Sequence, residues 1–108
     1  MIIDSRYLYF RGRVALAELL IACGAKKGDF IAIQAYTCSA VPEAVFATQA
    51  KPLYIDVTIN GVTMSTLDLE RKLKKNTNVK IIIIQHTFGI VADIKKLSEI
   101  AKKYNLMI

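Results

Sequence analysis

Residues 30–57 read FIAIQAYTCSAVPEAVFATQAKPLYIDV, and the order of patterns within them decides the fold class. Phe30 to Ala35 is a short apolar run bounded by turn signals, which predicts a strand buried in a parallel sheet. Pro42 suits the first turn of a helix, where its missing N–H costs nothing, and Glu43 lies near the positive end of the helix dipole. That helix is expected to continue to about Gln49. Lys51 to Val57 then returns to a strand pattern, so the stretch closes as strand, helix, strand.

The same alternation extends in both directions. Upstream, Val14, Ala15, Leu16, Leu19, Leu20, Ala22 and Cys23 predict a mostly buried helix over 14–23, with Gly24 as its left-handed stop. Gly28-Asp29 makes the turn into the first strand. Downstream, Asn60-Gly61 predicts a small hairpin over 58–64, and Ser65 or Thr66 is placed to cap a helix over 67–75. Residues 79–86, VKIIIIQH, hold four consecutive isoleucines and predict a strand covered on both faces. Gly89 closes its exit loop. Residues 92–104 form an amphipathic helix with Ile94, Leu97, Ile100, Ala101 and Tyr104 on one side, Asn105 is its stop, and NLMI opens another apolar strand. The pattern is α/β: a mostly parallel sheet with helices on both faces and right-handed crossovers, in one partial domain over 1–108.

Composition narrows the function classes. The apolar fraction of 54% exceeds the roughly 45–50% of ordinary soluble chains. No run approaches the ~18 residues of a membrane span, so the excess is expected to be buried in protein, as part of something larger or in a homo-oligomer. The net charge of +6 resides mostly in Arg71, Lys72, Lys74, Lys75, Lys95, Lys96, Lys102 and Lys103, on the polar faces of two helices. No aromatic residues interleave them, which argues against nucleic acid as partner. Cys23 and Cys38 occur in unlike settings with no second pair to complete a zinc site, so reduced thiols are expected. The start, MIIDSRYLYF, lacks the features of a secretory signal, and a cytoplasmic location is expected.

Ligands of open α/β sheets bind beyond the carboxyl ends of the strands and at helix N-termini, where free N–H groups favour phosphate. Three places qualify: Gly12-Arg13 at the mouth of the first helix, Tyr36-Thr37-Cys38 after the first strand, and His86-Thr87 after the isoleucine strand. With GRVALAELLIACGAKKGDFIAIQAYTCSAVPEAVFATQAKPLYIDV and NVKIIIIQHTFGIVADIKKLSEIAKKYNL in view, the chain resembles the N-terminal part of the DegT/DnrJ/StrS aminotransferases. The resemblance runs from about Tyr9 to Ile108. It implies the large domain of a fold-type I pyridoxal-phosphate enzyme, many of whose relatives act on nucleotide-linked keto-sugars with a small-molecule amino donor.

The resemblance assigns cofactor-binding roles to Gly12 and Arg13, whose backbone N–H groups would hold the phosphate. It also places Cys38 where the family usually stacks an aromatic ring on the pyridine, and His86 in the family's H-x-F/Y-G turn. A histidine capping a loop is the alternative for His86. Arg11 stands where a small hydroxylated residue is common, and Gln34 and Ala35 lie where a proline is often found. Asp56 and Asp93 are expected to end a strand and to enter a helix.

Transamination further requires a Schiff-base lysine and a carboxylate for the pyridine nitrogen. The family supplies both from beyond the strand that opens here as NLMI, and the lysines present belong to solvated helix faces. The expectation is a cofactor-phosphate part with no catalytic residue of its own. The competing expectations are a non-catalytic interaction module built on the same fold, and a small domain for an unrelated phosphate ligand.

Overall fold

The computed structural model describes residues 7–108; residues 1–6, and with them part of the N-terminal stretch read above, lie outside the described residues. The elements follow in the order α1 (Gly12–Ala22), β1 (Phe30–Gln34), α2 (Ala40–Ala47), β2 (Lys51–Ile55), α3 (Thr66–Leu73), β3 (Val79–Ile82), a 3₁₀ turn (Thr87–Gly89) and α4 (Ile94–Lys103). The strands form one sheet in the order β2-β1-β3, and both pairings are parallel. On one face Leu20, Ile31, Ile33, Val45 and Ile81 gather the core under α1 and α2. On the other, Ala32, Ile55, Leu69, Leu73, Ile82, Leu97 and Ala101 pack under α3 and α4. The expected α/β class with helices on both faces is what forms.

Local chemistry sets the element ends. After α1, Gly24 takes φ +87°, its N–H donates to the Ile21 carbonyl, and the Ala25 N–H donates to Leu20. This pair of bonds is a Schellman stop, which needs a residue that tolerates a left-handed backbone. Asn105, at φ +54°, ends α4 by the same pair of bonds, to Lys102 and Ala101. The hairpin forms as well, since Thr58 N–H donates to the Thr63 carbonyl and Val57 pairs with Met64. In NLMI, Met107 bridges to Ile81 in parallel sense, exchanging bonds with Lys80 and Ile82. Pro52 lies in β2, an edge strand, the position where a missing N–H is tolerated.

Two expectations need correction. The isoleucine pattern predicts a strand over 79–86, but regular pairing stops at Ile82. Ile83 still donates to the Ala32 carbonyl. Beyond it β1 itself has ended at Gln34, and among the described residues the outer side is bridged only at Met107, so the chain is free to turn. The strand buried throughout its centre is β1, where Ile31, Ala32 and Ile33 are each 0% exposed. The sequence also predicts a mostly buried α1, whereas only Ala17 and Leu20 are buried, and Val14, Leu19 and Ile21 are exposed. Its apolar residues surround the helix, but sheet and α2 cover one side.

Asp68 ties the second crossover together. Its carboxylate accepts the Asp56 N–H at 2.8 Å and Arg71 Nε at 3.0 Å, and lies 2.9 Å from Lys72 Nζ. Burial works to raise its pKa, but the hydrogen bonds from Asp56, Lys72 and Arg71 prevail and hold it at about 2. Among the described residues no helix is long and apolar enough to cross a membrane.

Candidate functional site

The sheet order creates a switch point. From β1 the chain leaves toward β2, and from β3 it leaves toward Met107 on the opposite side, so the carboxyl ends of β1 and β3 diverge and open a crevice. In the segment that leaves β1, residues 40–41 line one cleft and residues 36–38 another.

The first cleft, about 460 Å³, is lined by Arg11, Gly12, Arg13, Leu16, Ala40 and Val41, between the beginnings of α1 and α2. Arg11 is the N-cap of α1 and supplies no side-chain cap, and no acidic residue occupies the first turn. The backbone N–H groups of Gly12 and Arg13 therefore find no acceptor among the described residues. A Cβ built on Gly12 would meet nothing within 4 Å, so the backbone is open to a ligand atom. The Arg13 guanidinium makes an ion pair with Glu43 of α2, and both side chains are roughly half exposed. Free N–H donors and a helix dipole, with Arg11 beside them, form a donor set suited to a phosphate, while Glu43 takes up the Arg13 guanidinium.

The second cleft, about 350 Å³, is lined by Tyr36, Thr37, Cys38, Gln85, Thr87 and Phe88. Tyr36 and Phe88 meet edge to face with centroids 6.4 Å apart. Phe88 holds a left-handed φ of +56° while the residue is 81% exposed. Strain of this kind in a non-glycine residue concentrates at ligand sites. Cys38 is exposed, with a free thiol.

Of the residues singled out in the sequence, Gly12 and Arg13 share the first cleft and Cys38 lines the second. His86 lines neither: its Nδ1 accepts the Ala92 N–H at 3.1 Å, so the imidazole caps the loop leading to α4. Asp93 caps α4 through the Lys96 N–H, and Asp56 accepts the Val57 N–H at the end of β2. Neither cleft is lined by a lysine or a carboxylate.

Sequence reasoning passed over the polar network beneath the second cleft. Gln34 is 1% exposed, and its Nε2 lies 2.7 Å from the Tyr36 carbonyl, 2.8 Å from that of Val62 and 2.9 Å from Thr87 Oγ1. Thr37 Oγ1 donates to Gln85 Oε1 at 2.7 Å. The signal was present, because the apolar runs FIAI and IIII both end in glutamine, on neighbouring strands.

Known proteins share this sequence pattern and this fold. The model of the DegT/DnrJ/EryC1/StrS aminotransferase family matches residues 11–108. A GDP-perosamine synthase of Escherichia coli O157:H7 is 33% identical over 97 residues, covering 90% of this chain and 26% of its own. A dTDP-3-amino-3,6-dideoxy-alpha-D-galactopyranose transaminase of Aneurinibacillus thermoaerophilus is 31% identical over 97 residues, 90% of this chain and 26% of its own. Among solved structures, S. venezuelae DesV superposes with a TM-score of 0.83 at 27% identity, over 88% of this chain and 25% of that one. The PLP form of a sugar aminotransferase from Streptococcus pneumoniae gives 0.78 at 25% identity, over 89% and 24%. The chain thus spans about a quarter of the length of the proteins it matches.

Proposed function

Because the chain belongs to the DegT/DnrJ/EryC1/StrS aminotransferase family, we propose that it is the cofactor-phosphate part of a pyridoxal-phosphate-dependent aminotransferase acting on a keto-sugar, of the nucleotide-linked kind that the relatives' names describe. The observation that carries the proposal is the open first turn of α1, where the unpaired backbone donors of Gly12 and Arg13 lie beside a cleft also lined by Arg11, and where the missing Cβ of Gly12 leaves the backbone open to a ligand atom. The donor set fits the phosphate, and the second cleft offers an apolar slot for a ring.

When bound, pyridoxal phosphate supplies the electron sink that lets an amino group pass between carbon skeletons. This chain's residues contribute binding and orientation. Gly12 and Arg13 hold the phosphate through backbone N–H groups, and the positive end of α1 stabilises its charge. Arg11 adds positive charge at the rim, and the Arg13 guanidinium ties α1 to α2 through Glu43. Cys38 presents a thiol to the ring where the family has an aromatic, a smaller contact surface. Tyr36 and Phe88 flank that slot. His86 holds the 86–92 loop through Ala92. On this proposal the Schiff-base lysine and the pyridine carboxylate come from polypeptide outside these 108 residues.

A homo-oligomer is part of the proposal, supported by the exposed Val14, Leu19 and Ile21 of α1. The same exposure favours the second reading, an interaction module that uses the fold without its chemistry.

Equilibrium titration of the chain with pyridoxal phosphate, with pyridoxal as control, tests the proposal. Saturable binding that requires the phosphate, with no mass added by borohydride at stoichiometric ligand, is the expected result. Equal binding of pyridoxal, or no saturable binding, would overturn it in favour of the interaction module.

A further inference from the structure

We propose that Gln34 is the positioning residue of the second cleft, setting the separation of its two walls; the functional meaning of this rests on the cofactor reading above. Gln34 ends β1 directly beneath the crevice, and the two hydrogens of its Nε2 are shared among acceptors on three separate segments: the β1 exit at Tyr36, the 58–64 hairpin at Val62, and the β3 exit at Thr87. Tyr36 belongs to one wall and Thr87 to the other. One side chain therefore spans the cleft floor.

The orientation of the amide is dictated by its neighbours. Two of the three groups at Nε2 are backbone carbonyls, which only accept, so a flipped amide would set oxygen against oxygen. With Nε2 in place, Oε1 is buried and has no partner among the described residues. An unsatisfied buried acceptor is costly, and such costs concentrate at functional sites. An apolar side chain would complete the buried run FIAI but would leave the Tyr36 and Val62 carbonyls without the donor that Gln34 supplies.

The rest of the network carries the constraint upward. Thr87 Oγ1 is shared with Gln85 Nε2 at 3.3 Å, and Gln85 Oε1 accepts from Thr37. Thr37 and Cys38 on one side, and Gln85, Thr87 and the strained Phe88 on the other, are thus referenced to the same amide. Removing it leaves the walls joined by the Thr37–Gln85 bond and the Tyr36–Phe88 contact, without the floor that fixes their separation and with no lining residue replaced.

The test uses Cys38 as a reporter, in a chain carrying Cys23→Ser so that one thiol remains. The rate at which a bulky thiol reagent modifies Cys38 reads the cleft directly. Gln34→Leu is expected to raise that rate several-fold with secondary structure retained. Gln34→Glu is the sharper variant. As a carboxylate it faces the Tyr36 and Val62 carbonyls and cannot donate, whereas protonated it donates one bond. Its Cys38 rate, divided by that of the unsubstituted chain at each pH, is expected to be high at neutral pH and to return toward unity on acidification. A role confined to packing would give no such rescue. Pyridoxal phosphate should protect Cys38, and Gln34→Leu should require on the order of tenfold more ligand for the same protection. Should Gln34→Leu fail to fold, Thr87→Val, which deletes one partner of the amide, is expected to raise the rate, and Thr87→Ser to leave it unchanged. Equal Cys38 rates across the folded variants at every pH would overturn the proposal. Absence of protection in the unsubstituted chain would instead count against the cofactor reading, and the rates would still decide the role of Gln34.

Discussion

Replacing Asp68 by asparagine removes a charge from the junction of β2 and α3 while keeping the side chain's shape. The carboxylate accepts from Asp56, Arg71 and Lys72, and its pKa is about 2 against an ordinary 3.8. At about 1.4 kcal/mol per unit, that depression corresponds to roughly 2 kcal/mol of folding stability. Because the folded pKa is the lower one, the contribution is complete above pH 3.8 and is lost as pH falls through that value toward 2. The carboxamide oxygen of the variant could still accept the Asp56 N–H, so the difference between the chains reports the charge. Urea unfolding at fixed ionic strength, from pH 7 down to pH 2, is the assay. Asp68→Asn should be less stable by about 2 kcal/mol at neutral pH, with the gap shrinking to a few tenths near pH 2. Equal stability at pH 7, or a gap of constant size down to pH 2, would refute the reasoning.

Further outcomes follow from other features. Asp93→Ala deletes the cap of α4 and should lower stability by about 1 kcal/mol, read as a shifted urea midpoint at unchanged slope; an unmoved midpoint would contradict it. Gly12→Val should leave stability nearly unchanged, because the added atoms enter open space, yet weaken phosphate-dependent binding; full binding by this variant would place the phosphate elsewhere. The exposed apolar face of α1 should drive association, so sedimentation showing a stable monomer at high concentration would contradict the oligomer.

The fold was legible where backbone chemistry is local. Gly24 and Asn105 announce left-handed stops, Asn60-Gly61 a hairpin, and Ser65 or Thr66 a cap that the structure assigns to Ser65, each needing only near neighbours in sequence. The end of β3 was not legible, since β-branched residues continue through Ile84 while pairing depends on where β1 stops and on a bridge from Met107. Nor was the exposure of α1, because apolar character records what a helix is able to bury and packing decides what it does bury. The site divides the same way. The free donors at Gly12 and Arg13 belong to one helix end, so sequence indicates them. Gln34 joins residues up to 53 positions apart, and its partners become apparent only when the strands are side by side.

The most direct test of the central claim is residue-resolved: the amide resonances of the labelled chain followed while inorganic phosphate, pyridoxal and pyridoxal phosphate are added separately. The account predicts that phosphate and pyridoxal phosphate both shift the Gly12 and Arg13 amides, that pyridoxal leaves them in place, and that pyridoxal phosphate additionally perturbs Cys38. Unmoved Gly12 and Arg13 amides, or shifts confined to the lysine faces of α3 and α4, would contradict it.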